Sequence, residues 1–188
     1  MQLPLLRTID IFLALTGIIV GLPILVTIFT LGLFDTGSPL FFQQRVGKNQ
    51  ALFTLIKFRT MSPSTSSVAS HLANASSITK LGRVLRKTKL DELPQLFNVL
   101  FGQMSLVGPR PCLLNQTELI AEREKRNIFK VRPGITGLAQ TCKVDMSTPR
   151  KLARYDQLMI KKINIKFYLL LIITTLMGKG RGDRIKLI

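Results

Sequence analysis

Tryptophan is absent from these 188 residues, histidine occurs once, at His71, and cysteine twice, at Cys112 and Cys142. A lone histidine and two cysteines without metal spacing speak against a zinc centre. Two isolated thiols make no disulfide framework either, and both are expected to be reduced and structural. Acid is scarce as well. Ten Asp and Glu stand against 27 Lys and Arg, for a net charge of +17. Such a balance implies an anionic partner: nucleic acid, an acidic membrane surface or a phosphorylated substrate. Nucleic acid fits worst, because the chain has only two tyrosines and no helix-turn-helix, RNA-recognition or zinc pattern. A Gly-rich nucleotide loop and internal repeats are also missing.

What the chain does have is segregated. Ile11 to Phe34 is nearly uncharged and long enough to cross a bilayer, with Arg7 and Asp10 before it. Pro23 lies in its middle. A mid-helix proline removes a hydrogen bond and clashes with the preceding turn, so a bend at Leu22-Pro23 and a mildly kinked spanning helix are both open. Asp35 to Pro39 reads as a linker, which divides the chain into a membrane-anchoring helix, 1–37, and a domain, 38–188.

Leu40 to Arg45 and Ala51 to Arg59 read as a hairpin around Gly47-Lys48-Asn49-Gln50. Phe53, Leu55, Lys57 and Arg59 share one face of its second strand, so two cations there could meet a phosphate. Ser62 to Thr79 reads as a flexible loop, either a lid or idle. Leu81, Val84 and Leu85 mark a short helix with Arg83, Arg86, Lys87 and Lys89 off its stripe. Leu106-Val107 is a strand, and Leu113 to Asn127 an amphipathic helix. Ser147 or Thr148 caps another helix, with Pro149 in its first turn and Leu152, Tyr155 and Met159 as its apolar stripe. Phe167 to Met177 is apolar but too short to span, and belongs in the membrane interface or the core.

The chemistry concentrates in Leu90-Asp91-Glu92-Leu93-Pro94-Gln95-Leu96. Two adjacent carboxylates in so basic a chain need a reason. Leu93, Leu96, Phe97 and Leu100 mark a helical face, Asp91 suits its N-cap and Gly102 its stop. A carboxylate at a helix N-terminus is expected to stay ionised. Asp91 can therefore serve as a nucleophile in phosphoryl transfer, and Glu92 can assist a metal or a second substrate. Mg²⁺ suits this sparse acidic set, with Asp91 and Glu92 as its ligands. Two arginines are braced by proline, in Pro109-Arg110-Pro111 and Arg132-Pro133-Gly134. Arg110, Arg132, Arg86 and Lys57 are the candidate phosphate ligands, with Arg59 beside Lys57 on its strand face.

Leu90 to Gln95, Met104-Ser105-Leu106-Val107-Gly108-Pro109-Arg110-Pro111 and Val131 to Gln140 resemble the signature segments of the bacterial sugar transferases, the monotopic polyprenyl-phosphate phosphoglycosyl transferases. The likeness extends to Lys57 to Met61 and to the N-terminal apolar segment. It implies an α+β chain: an N-terminal re-entrant (or spanning) membrane helix, then a mostly helical cytosolic domain with a small β-hairpin and interfacial amphipathic helices.

In function it implies transfer of a sugar-1-phosphate from a UDP-sugar to polyprenyl (undecaprenyl) phosphate through an aspartyl-phosphosugar on Asp91. Such a step begins glycoconjugate assembly at the bacterial cytoplasmic (inner) membrane, with anionic lipids as partners and a homodimer as an open expectation. The rival expectation is a membrane-tethered basic protein that binds an anionic polymer or lipid without catalysis. The chain departs from the family's pattern at Leu22, where a serine is usual. It departs again at Gln103, where an acid is usual, and at Thr141 to Asp145, where many members carry Asn-Gly-Arg.

Overall fold

The computed structural model describes residues 4–63, 65 and 75–178. Most of the expected loop from Ser62 to Thr79 lies outside the described residues, as does His71. The class is α+β, with a small hairpin and one long apolar helix. That helix, α1 (Pro4–Thr36), runs 33 residues, about 50 Å at 1.5 Å per residue.

The expected break at Leu22-Pro23 does not interrupt α1, whose residues are helical on both sides of Pro23. Thr27 donates to the Pro23 carbonyl at 2.8 Å and Thr30 to that of Val26 at 3.0 Å, so hydroxyls reinforce the turn after the proline. One side of α1 is packed from end to end. Leu6 joins a core with Val107, Met159, Tyr168 and Leu171. Ala14 joins Phe53, Leu55, Val99 and Met104. Leu25 and Ile28 close over Phe58 and Leu85, with Leu90 and Leu93 against them. The opposite side, including Phe12, Ile19, Val20, Phe29 and Phe34, is exposed apolar surface.

Polar bonds fasten the front of α1. Arg7 donates to the carbonyls of Val99 and Leu100 at 2.8 and 3.3 Å. The buried Asp10 carboxylate accepts from the Leu106 N–H at 2.8 Å, the Ser105 hydroxyl at 3.1 Å and the Tyr168 hydroxyl. Buried carboxylates need such partners, and three donors satisfy this one.

β1 (Leu40–Val46) and β2 (Leu52–Phe58) form the expected antiparallel hairpin, with Phe41 opposite Lys57 and Arg45 opposite Phe53. α2 (Lys80–Thr88) is capped by Thr79, whose side chain accepts from the Gly82 N–H at 2.8 Å. A Cβ at Gly82 would collide with the Thr60 carbonyl, so glycine there lets α2 press its backbone onto the end of the hairpin. α3 (Gln95–Leu100) follows, then β3 (Ser105–Val107), α4 (Thr117–Glu124), β4 (Gly134–Thr136), α5 (Leu138–Thr141), α6 (Pro149–Lys162) and α7 (Ile165–Leu176).

β3 and β4 pair in parallel, Ser105 opposite Gly134 and Val107 opposite Thr136, a pairing the sequence did not announce. The helix expected over Leu113 to Asn127 is shorter. After α4 the chain turns left-handed at Asn127 and continues as a 3₁₀ turn, Ile128–Lys130. Thr148 takes the N-cap position of α6, but its side chain makes no capping bond, so Pro149 at the helix start is the stronger signal. Both cysteines are free; Cys112 is buried, while Cys142, also expected to be structural, is exposed.

Candidate active site

α2 ends at Lys89, whose φ of 62° places it in the left-handed region. That residue turns the chain out of α2 and into a 3₁₀ turn, Leu90–Glu92, set before Pro94 and α3. Asp91 is therefore not the N-cap of α3; Pro94 holds that position. Its carboxylate stands on a turn between two helices. Leu90 and Leu93 on either side pack into the core closed by Leu25 and Ile28, so the second half of α1 floors the turn.

Three cations press on Asp91 from three elements: Lys57 of β2, Arg86 of α2 and Arg110 of the loop after β3. They do not leave the carboxyl at ordinary acidity. Burial and the adjacent Glu92 carboxylate push its pKa up to about 7, with Lys57, Arg86 and Arg110 pulling the other way. This reverses the expectation that a helix-end carboxylate simply stays ionised. The 3₁₀ turn offers Asp91 no capping role at α3, and the site is closed enough to penalise charge. Lys57 is shifted as well. Burial and then Arg45 bring it down to about 8, against the pull of Asp91.

Glu92 pairs with Arg110 at 2.9 Å. Arg86 donates its Nε to the Thr60 hydroxyl at 2.8 Å, and Gly82 on the same helix grips the Thr60 backbone. Arg86 is thus aimed by the α2–Thr60 contact. Lys57 lies 5.2 Å from the centre of the Phe41 ring. Of the residues expected from sequence, Asp91, Glu92, Lys57, Arg86 and Arg110 come together.

Arg59 and Arg132 are engaged elsewhere. Arg59 donates to the Ser38 carbonyl at 2.8 Å and lies 5.3 Å from the Phe41 ring centre, so it fastens the linker to the hairpin. Arg132 donates its Nε to the Gly102 carbonyl at 2.7 Å, just past the end of α3. Their expected phosphate contacts gain no support from this placement.

Family membership follows from comparison with known sequences. The profile of the bacterial sugar transferases matches residues 1–180. The chain belongs to that family. An uncharacterized sugar transferase of Bacillus subtilis, EpsL, is 50% identical over 105 residues, covering 55% of this chain and 52% of EpsL. An exopolysaccharide production protein, PSS, of Rhizobium leguminosarum bv. phaseoli is 41% identical over 151 residues, 74% of each chain. A UDP-glucose:undecaprenyl-phosphate glucose-1-phosphate transferase of Klebsiella pneumoniae is 43% identical over 138 residues, 70% of this chain and 29% of that protein. The match thus spans about half the length of EpsL and under a third of the Klebsiella protein.

Several residues of this family member escaped the sequence reading. Arg45 on β1 is buried, and its charge helps to lower the Lys57 pKa; it donates to the Pro111 carbonyl at 3.0 Å and to Gln43 at 2.6 Å. Asn98 on α3 is fully buried. It accepts from the Ile56 N–H at 3.0 Å and donates to the Thr54 carbonyl at 2.8 Å and to Gln103 at 2.6 Å. Gln103 thus supplies an acceptor that an acid there could also supply, and together with Asn98 it braces the strand that carries Lys57. Arg123 of α4 and Asp156 of α6 form a buried ion pair at 2.7 Å. A signal for that pair existed. Asp156 falls on the Leu152–Met159 stripe, and a charge on an apolar stripe is a buried-pair signature.

Proposed function

We propose that this chain is a phosphoglycosyl transferase that moves a sugar-1-phosphate from a UDP-sugar to polyprenyl (undecaprenyl) phosphate by way of a covalent aspartyl-phosphosugar. The observation that carries the reading is Asp91 standing beside Glu92 with Lys57, Arg86 and Arg110 close enough to shift its acidity. A carboxylate facing that much positive charge suits attack on phosphorus. The cations would hold the diphosphate while the nucleophile approaches in line.

In the first half-reaction a carboxylate oxygen of Asp91 bonds to the β-phosphorus, and the bond from that phosphorus to the bridging oxygen breaks. UMP leaves with the bridging oxygen and its electron pair. In the second, an oxygen of polyprenyl phosphate attacks the same phosphorus. The Asp91 carboxylate departs, and polyprenyl-diphospho-sugar is formed. Arg110, paired with Glu92 at 2.9 Å, would follow the transferring phosphoryl group through both steps. Arg86 and Lys57 would take the remaining phosphate oxygens.

The donor set fits Mg²⁺. Asp91 and Glu92 are adjacent, and no cluster of three or more His, Cys, Asp or Glu occurs among the described residues. A magnesium ion takes few carboxylates and fills its shell with water and phosphate oxygens. Asp91 and Glu92 would hold it, and it would supply charge neutralisation for the diphosphate.

The acceptor's tail dissolves in lipid, so the site must lie at headgroup level. The unbroken packing of α1 on the domain, from Leu6 to Ile28, supports a helix with both ends on the domain's side of the bilayer rather than one leading away from it. Its exposed apolar face would contact lipid. The exposed Lys161, Lys162 and Lys166, next to Leu169, Leu170 and Ile173, suit anionic headgroups at the inner membrane's cytoplasmic face.

The test is UMP release from a panel of UDP-sugars by the purified protein with undecaprenyl phosphate and Mg²⁺. Mass spectrometry of protein incubated with the donor alone should show a phosphosugar on Asp91. No UMP from any donor would overturn the reading.

A further inference from the structure

Four consecutive carbonyls, Pro109 to Cys112, each accept a hydrogen bond. The Gly134 N–H reaches Pro109 at 2.9 Å, and the Val46 N–H reaches Cys112 at 3.0 Å. The two between them are served by buried guanidinium groups: Arg123 donates to Arg110 at 2.8 Å, and Arg45 to Pro111 at 3.0 Å. Prolines at 109 and 111 remove two N–H groups and fix two φ angles. The loop is held on its acceptor side at every residue, and the side chain it presents is Arg110.

Arg123 comes from α4 and is locked before it reaches the loop. Its Nε and one terminal nitrogen donate to the same Asp156 oxygen at 3.0 and 2.7 Å. Arg123 and Asp156 are each 98% removed from solvent at the side chain, leaving 2% exposed. Burying such a pair costs desolvation, and an apolar pair often stabilises as well. An apolar pair between α4 and α6 would leave the Arg110 carbonyl without this donor. The remaining terminal nitrogen of Arg123 goes to that carbonyl, on the residue whose side chain meets Glu92.

We propose that Arg123, oriented by Asp156, is a positioning residue for Arg110: it fixes the Arg110 peptide so that the guanidinium meets the transferring phosphoryl group in one orientation. The inference rests on the phosphoglycosyl transferase reading, in which Arg110 touches phosphate. Arg123 itself does not touch substrate. The arrangement relays order from the α4–α6 contact to the reacting phosphorus. Preorganisation of this kind acts on turnover more than on donor binding, because misplacing a charge clamp matters most where charge develops.

The experiment is a double-mutant cycle on the full chain, reading kcat and KM for a UDP-sugar that the wild type accepts, with thermal melting alongside. Arg123→Lys keeps a charge opposite Asp156, but a single ammonium cannot reproduce the guanidinium fork that spans Asp156 and the Arg110 carbonyl. In the wild-type background it should lower kcat roughly tenfold with KM changed less than about threefold. In an Arg110→Ala background the same substitution should change kcat by less than about twofold, because the residue it positions is gone. Equal fold-losses in both backgrounds would overturn the proposal and leave Arg123 a stabilising residue only. If Arg123→Lys does not fold, the cycle is run with Asp156→Glu, which lengthens the counter-ion by one methylene and displaces the guanidinium. The same coupling is expected, and its absence overturns the proposal equally. A wild type that releases no UMP is a different failure, that of the parent reading.

Discussion

Arg110 and Arg132 look alike in the sequence and do different things in the fold. Both are braced by proline, both flank a short strand, and both suit a phosphate. Arg110 follows β3 and turns its guanidinium to Glu92 at 2.9 Å. Arg132 precedes β4 and turns its Nε to the Gly102 carbonyl at 2.7 Å. The two backbones nonetheless touch, since the Gly134 N–H reaches the Pro109 carbonyl at 2.9 Å. The proline brace therefore supplies rigidity, and the direction of each side chain decides what the rigid arginine serves. One guanidinium meets the turn that carries Asp91 and Glu92. The other meets the end of α3, where Arg7 also donates to the last carbonyls. Cations at a helix C-terminus offset its dipole and satisfy open carbonyls, a structural use of the same side chain.

The zero of this comparison is Asp91. Asp91→Asn is nearly isosteric and a poor nucleophile, so it should abolish both the covalent adduct and turnover, read by mass spectrometry and UMP release. Substantial activity in Asp91→Asn would remove the reference point for both arginines.

The next largest effect belongs to Arg110. Arg110→Ala should lower turnover by about one to two decades, since a charge-assisted phosphate contact is worth roughly 1.5–3 kcal/mol. Arg110→Lys should recover only part, because the forked geometry is lost. A normal rate in Arg110→Ala would break the comparison by making both arginines structural.

Arg132→Ala should do the reverse. Turnover per folded molecule should fall by less than about threefold, while stability drops by roughly 1–3 kcal/mol as the Gly102 carbonyl loses its charged donor. Thermal melting against specific activity separates the two. A tenfold loss of activity with unchanged melting would return Arg132 to the phosphate site.

These contrasts mark what the sequence can carry. The hairpin was legible from alternation, and Asp91, Glu92, Lys57, Arg86 and Arg110 from residue type and neighbourhood. What was hidden depends on contacts distant in sequence. The role of Arg132 depends on β3 and β4 pairing in parallel, and each strand is only three residues long. Arg59 sits on a plausible phosphate-facing strand, yet the linker carbonyl at Ser38 is nearer. Arg45, Asn98 and Arg123 are polar residues in the core, and no local pattern names partners as distant as Asp156 from Arg123 at a separation of 33, Ile56 from Asn98 at 42 or Pro111 from Arg45 at 66. The expected N-cap at Asp91 failed for a local reason: left-handed Lys89 inserts a 3₁₀ turn, and the helix starts later.

The finest test uses acidity. Asp91 is held near 7 and Lys57 near 8. In the proposed mechanism Asp91 attacks as the carboxylate, so kcat/KM should rise as pH climbs through about 7. In the same mechanism Lys57 holds phosphate as the cation, so the rate should fall as pH climbs through about 8, leaving a narrow bell. Arg110 acts on both groups: its charge lowers the Asp91 pKa by attraction and the Lys57 pKa by repulsion. Removing that charge in Arg110→Ala should therefore raise both, moving the acid limb and the basic limb to higher pH together. Arg132 is not among the largest charge effects on either group, so Arg132→Ala should move both limbs less than Arg110→Ala does. The measurement is the pH dependence of residual kcat/KM for the two variants at one fixed Mg²⁺ concentration. Limbs that move down in Arg110→Ala, or move equally in both variants, would show that the two arginines do not divide the work as the geometry says. An upward shift in the first alone would tie Arg110 to Asp91 and Lys57 without any appeal to the size of its rate effect.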